Sequence, residues 1–177
     1  SLTRIWEPVF FAAAIAQPTS KLPVLRGRDR AAVMAIWCRI GDYVLGDSHR
    51  RLNEVARSLG LERWATSMMT RRWRVLRAPS QVETLLAIRA CERLRIAQAW
   101  TPLTRIVAAG PAPLDRYAAR ALVALDPVRA AVATLPVLIR QGRWARHLVE
   151  DLVEAGAATA VEAYAALLSS ASDNAIP

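Results

Sequence analysis

The sequence is short of almost everything that catalysis draws on. Of 177 residues, two are cysteine, two are histidine and one is lysine. Cys38 and Cys91 lie far apart in apolar stretches, which predicts two buried, reduced thiols and no disulfide framework. His49 and His147 are equally distant, and neither has a second ligand nearby. A zinc site needs at least three protein ligands at workable spacing, so both read as partly exposed helix residues. The one lysine, Lys21, follows Ser20 with no glycine ahead of it, which excludes a Walker A loop. Seven glycines stand at positions 27, 41, 46, 60, 110, 142 and 156, no two of them separated by a single residue. That spacing excludes a dinucleotide fingerprint and a nucleophile elbow. Glu150, Asp151 and Glu154 share one helical stretch and read as a solvated acidic face, with Arg146 one turn from Glu150. Raised carboxyl pKa values there would need burial or like-charge crowding. Long apolar runs are missing too: Val9 to Ala16 falls far short of the ~20 residues a membrane span requires. No catalytic constellation, cofactor site or metal site is expected, and the chain reads as a protein that is not an enzyme.

What is present is helix-forming apolar residue and arginine. Hydrophobic residues make up 54% of the chain and aromatics only 6%, six of them Trp at 6, 37, 64, 73, 100 and 144. This is the composition of packed helices in one domain, not of a disordered chain. The net charge of +9 is uneven. Residues 1–77 hold 14 basic and 6 acidic side chains, a balance of +8, and residues 78–177 hold 10 and 9, a balance of +1. Such asymmetry implies an acidic partner, whether anionic lipid, nucleic acid or acidic protein; plain solvation by arginine is the competing explanation.

Taken in order, Leu2 to Gln17 reads as a helix with Ile5, Trp6, Val9, Phe10, Ala13 and Ile15 on one broad apolar face. Pro18, Pro23 and Gly27 mark a loop. A second helix is expected from Asp29 to Leu45, with Val33, Ile36, Trp37, Ile40 and Val44 on its stripe. The third should start at Asp47 or Ser48, bury Leu52, Val55, Ala56 and Leu59, and stop before Gly60. Leu61 to Met69 gives a fourth. The basic stretch Arg71-Arg72-Trp73-Arg74-Val75-Leu76-Arg77 then ends near Ala78, because Pro79 disfavours helix before it. Ser80-Gln81-Val82-Glu83 has capping-box spacing. Gly110, Gly142 and Gly156 each follow an apolar helical run, where a left-handed residue is wanted. Asp126-Pro127 has the favoured order of cap then proline, and the tail from Ser169 should fray.

From Ser80 onward a two-helix pattern repeats. Ala87 to Leu94 and Ala118 to Leu125 match each other; each is followed by a helix with Ala-x-x-Pro, at Ala99/Pro102 and Ala133/Pro136. A fainter round runs through Leu148 to Ala155 and Val161 to Leu167. A period of roughly 30 residues built from two helices signals an α-solenoid. Residues Ser80 to Leu168 resemble the short, bacterial type of HEAT-like repeat. Two departures stand out: Thr84 and Asp115 occupy the places of the usual Val-Arg, and Glu162 replaces the proline of the third round. Leu25, Asp29-Arg30, Ile36-Trp37, Arg51-Leu52-Asn53 and Leu59-Gly60-Leu61 are similar to a narrower group, bacterial HEAT proteins with a membrane helix ahead of a cytosolic repeat domain.

The expected fold is therefore all-α: a right-handed solenoid of about three HEAT-like helix pairs with an N-terminal four-helix cap. Residues 1–78 would be the basic cap, 79–168 the repeats and 169–177 the tail, all in one continuous domain. The chain opens on Ser1 and not on Met, which reads as a trimmed or a processed chain; whether an anchor preceded Ser1 stays open. The resemblance implies a scaffold or adaptor that binds a protein partner, cytoplasmic, with a tether to the inner membrane. Lys21, Arg26, Arg28, Arg30, Arg50, Arg51, Arg71, Arg72, Trp73, Arg74 and Arg77 are the candidate surface for an anionic partner, since the planar guanidinium fork suits phosphate. A membrane surface gains about 1 kcal/mol per such residue. Nucleic acid is the alternative partner, with Trp73 between Arg72 and Arg74 placed to stack a base. Some HEAT-like proteins excise alkylated DNA bases on a concave basic surface, but the repeats here are nearly neutral. Arg26-Gly27-Arg28-Asp29 also resembles an Arg-x-x-Asp cyclic-dinucleotide site.

Overall fold

Ala, Leu and Arg are strong helix formers, and the punctuation between them is Gly, Pro and Asp. The structure, a computed structural model, describes residues 1–16, 22–70, 80–141 and 145–154, with Glu162, Ala165, Ala166 and Ser169. Among the described residues there are nine α-helices and no strand. None of these helices is long and apolar enough to cross a membrane. The chain forms two units, Ser1–Leu94 and Arg95–Pro177.

The first unit holds α1 (Leu2–Ala14), a 3-10 turn (Gly27–Asp29), α2 (Arg30–Gly41), α3 (Gly46–Ser58), α4 (Leu61–Thr70) and α5 (Gln81–Leu94). Helix α1 packs on α2 and α3, α5 packs on α4 and α2, and α3 touches α2 and α4. Phe10, Met34, Trp37, Leu52, Leu61 and Ile88 form the fully buried centre. Trp6 and Phe10, their rings 6.0 Å apart, turn inward together. Ile5 and Ile15, expected on the same buried stripe, are exposed instead. Since α1 is apolar on nearly every side, periodicity alone does not choose its inner face.

Helix α2 buries Val33, Ile36, Trp37 and Ile40 as expected but stops at Gly41, short of Leu45. Gly41 and Asp42 are both poor helix residues, and Asp42 is engaged by α5. Helix α3 starts at Gly46, ahead of Asp47 and Ser48, with no side-chain cap. It ends before Gly60, whose φ of +72° is the left-handed turn anticipated there. The capping box at α5 is formed: Glu83 N donates to Ser80 Oγ at 3.1 Å, and Ser80 N donates to Glu83 Oε2 at 2.9 Å. Helix α5, read from sequence as the first repeat helix, lies in the first unit with α2 and α4.

The second unit holds a 3-10 turn (Ala97–Ala99), α6 (Trp100–Ala109), α7 (Leu114–Leu125), α8 (Pro127–Gln141) and α9 (Ala145–Glu154). Pro102 falls in the first turn of α6, where its missing N–H costs nothing. Helix α7 packs on α6, α8 and α9, and α6 also touches α8. The Arg129 guanidinium lies 4.1 Å above the Trp100 ring, tying α8 to α6. Asp126 caps α8 by accepting from Arg129 N at 3.0 Å, the arrangement its Asp-Pro order implies. Gly110 is not left-handed: its φ of −77° and ψ of 157° are extended, because the Pro111 ring disfavours any other shape in the residue before it. Asp151 is not part of a solvated face; it turns toward α7, 3.9 Å from Arg120. Glu150 and Glu154 are exposed, and His147 Nδ1 lies 3.2 Å from Glu150 Oε2. The side chain of Arg146, Gly142, Gly156 and the tail after Ser169 lie outside the described residues.

Candidate interaction surface

Two strongly exposed apolar side chains sit in the turn between α2 and α3. Tyr43 is 84% and Leu45 87% exposed. Their setting is fixed on both sides. Tyr43 N donates to Ile40 O at 3.0 Å and Asp42 N to Cys38 O at 3.2 Å, so the backbone leaves α2 in a closed turn. Gly46, at φ +59°, then redirects the chain into α3, a conformation that a side chain would strain.

Beneath the turn, Asp42 Oδ1 accepts from the guanidinium groups of both Arg89 and Arg93. These two residues are four apart on α5 and so share a face. Arg93 also stacks over the Trp37 ring, 5.9 Å from its centroid. Its guanidinium lies where a Cβ on Gly41 would point. Burial works most strongly against the charge on Arg89, but its hydrogen bond to Asp42 and the nearby charges of Cys38, Asp42 and Glu92 together outweigh that and hold the group more firmly protonated than usual. The node is a charge clamp between α2 and α5.

Helix α3 forms a second clamp, on the carboxyl ends of two other helices. Arg51 donates to Ala13 O at 3.3 Å and to Ala14 O at 2.8 Å, closing the end of α1. Asn53 Nδ2 donates to Arg93 O and Arg57 Nη2 to Leu94 O, each at 3.2 Å, closing the end of α5. The last carbonyls of a helix lack partners and carry partial negative charge, so donors, cationic ones above all, are favoured there.

This arrangement redistributes the residues nominated for an anionic partner. Arg26, Arg28 and Arg30 are exposed around the 3-10 turn. Arg28 lies 3.8 Å from Asp29, and neither Arg26 nor Arg30 has an ion pair among the described residues. Arg50 is exposed and pairs with Asp47 at 3.0 Å. Arg51 is half-buried and committed to α1. Lys21, Arg71, Arg72, Trp73, Arg74 and Arg77 lie outside the described residues.

Both thiols are buried. Burial pushes Cys38 up to about 11, against the opposing pull of Arg89 and Arg93, and pushes Cys91 up to about 12. Sequence reasoning missed Asp42, Tyr43 and Leu45 by running α2 through them. The signal was there in Gly41-Asp42 and Gly46, two breakers within one helical turn and a half.

Comparison with protein-family models, curated proteins and solved structures gives no match to this chain.

Proposed function

We propose that the chain is a non-catalytic helical adaptor that binds a protein partner through the Tyr43–Leu45 turn. The observation that carries this reading is the exposure of Tyr43 and Leu45 on a turn clamped by Asp42 and Gly46. Aromatic and aliphatic groups held rigidly in water are the anchors of protein interfaces, and pre-ordering lowers the entropy lost on binding. The sequential packing of α6 on α7 and α7 on α8, with α6–α8 and α7–α9 contacts, supports HEAT-like helix pairs in the second unit. The positive charge of residues 1–77 supports a cytoplasmic protein held close to the inner membrane.

The test is a photo-crosslinking amino acid at position 43 of the full chain in its native cell. One discrete crosslinked protein, lost when Leu45→Asp is added, is the expected result. Crosslinking that is diffuse, or indifferent to Leu45→Asp, would remove the turn from consideration.

Nucleic acid is the second reading, favoured by the exposure of Arg26, Arg28 and Arg30 in one stretch. It requires duplex binding that weakens steeply with salt and with the triple change to Ala. Affinity indifferent to salt would rule it out.

A further inference from the structure

Helix α1 has two apolar faces, and the fold uses one. Trp6, Phe10, Ala13 and Ala14 are buried against the first unit. Ile5, Pro8 and Phe11 are exposed on the opposite side, and Ile15 at the C-cap continues the strip. At 3.6 residues per turn these positions fall within about 120° of one another. Ile5 is 51%, Phe11 53% and Ile15 64% exposed. Arg4 is the one charged residue among the exposed positions of α1, because Glu7 is half-buried and pairs with Arg39 of α2. A helix apolar on all sides is ordinarily buried on all sides.

We infer that the outer face of α1 seats on an anionic membrane surface, with Phe11 and Ile15 entering the headgroup–acyl boundary. Charge selects this occupant. Residues 1–77 carry +8, so a second copy brought against the same face would meet like charge, whereas an anionic bilayer attracts the whole unit. Arg4, within the apolar strip, can lay its stem along the strip and raise its guanidinium to lipid phosphates. An apolar helix face with a cationic field is the combination that binds interfacially. The contact is peripheral, and it does not rest on the protein-binding reading of the Tyr43–Leu45 turn.

The experiment is co-sedimentation of the full chain with phosphatidylcholine vesicles, with and without phosphatidylglycerol, at low and high salt. The wild type should pellet with the anionic vesicles, less with the neutral ones, and less again in high salt. Phe11→Asp with Ile15→Asp should weaken partitioning about tenfold or more, with the thermal midpoint kept because neither side chain is in the core. Tyr43→Ala with Leu45→Ala should bind vesicles like the wild type, which separates this surface from the proposed protein contact. The inference fails if the wild type ignores anionic vesicles, or if the Asp variant binds them equally well. It also fails if sedimentation equilibrium shows a dimer that the Asp variant dissociates while vesicle binding is unaffected.

Discussion

Arg51 of α3 reaches the last turn of α1 and donates to the Ala14 carbonyl at 2.8 Å, a hydrogen bond across 37 positions of sequence. Together with Asn53 and Arg57 at the end of α5, it makes α3 the helix on which two others terminate.

Arg51→Ala removes both donors from the end of α1 and leaves the Ala13 and Ala14 carbonyls without their cationic partner. A loss of about 1–2 kcal/mol is expected, read as a lower urea midpoint at unchanged slope. Arg51→Lys keeps the charge but not the fork, and should recover only part of that. If Arg51→Ala unfolds like the wild type, the clamp contributes nothing.

The contact between Gly41 and Arg93 gives a prediction of sign. Alanine is the better helix former, by about 0.5–1 kcal/mol, yet a Cβ at position 41 would displace the Arg93 guanidinium, with Leu52 Cδ2 at 3.5 Å behind it. Gly41→Ala should therefore destabilise the wild type and stabilise an Arg93→Ala background. A double-mutant cycle measures this directly; additive changes would show that Arg93 moves aside without loss.

The thiols set an alkaline limit. Both are raised above the ordinary 9.0, Cys38 to about 11 and Cys91 to about 12. The folded state holds these protons more tightly than the unfolded state. The stabilisation is thus complete below pH 9.0 and is lost as pH rises through the folded values, with a slope of about 1.4 kcal/mol per pH unit per thiol. Denaturant midpoints should be flat in pH below 9.0 and then fall, and the fall should be shallower in Cys38→Ala with Cys91→Ala. An equal slope in the double variant would assign the alkaline loss to other groups.

Arg95 follows α5 in the left-handed region, at φ +55°. A side chain there costs about 1–2 kcal/mol relative to a right-handed conformation. Arg95→Gly relieves it, and after the greater chain entropy of glycine in the unfolded state a net gain of about 0.5–1 kcal/mol is expected in thermal or urea unfolding. A loss would mean that the Arg95 side chain contributes more than its strain costs.

Local features were the most legible. The Ser80–Glu83 box, the Asp126-Pro127 start and the Gly60 stop each depend on residues within four positions, and the structure forms each one. Gly110 went otherwise although the deciding residue, Pro111, is its neighbour: the proline restricts φ and ψ before it more strongly than a helix end favours the left-handed turn. Of the candidate basic surface, the sequence identifies the charges but not their neighbours. Arg50 and Arg51 are adjacent, yet one faces solvent beside Asp47 and the other closes α1.

By itself, the sequence determines that this is an all-helical chain, where most helices start and stop, and that positive charge gathers in residues 1–77. Those properties follow from backbone preferences and composition, which act within a turn or two. Tertiary structure alone decided which face of α1 is buried, that Asp42 joins Arg89 and Arg93, that α3 closes the ends of α1 and α5, and that α5 belongs with α2 and α4. Each depends on groups far beyond a helical turn apart in sequence, 37 positions for Arg51 and Ala14 and 51 for Arg93 and Asp42, or on competition between two apolar faces of one helix. Periodicity carries no information about such pairings, because it records that a residue is apolar or charged and not what will stand opposite it.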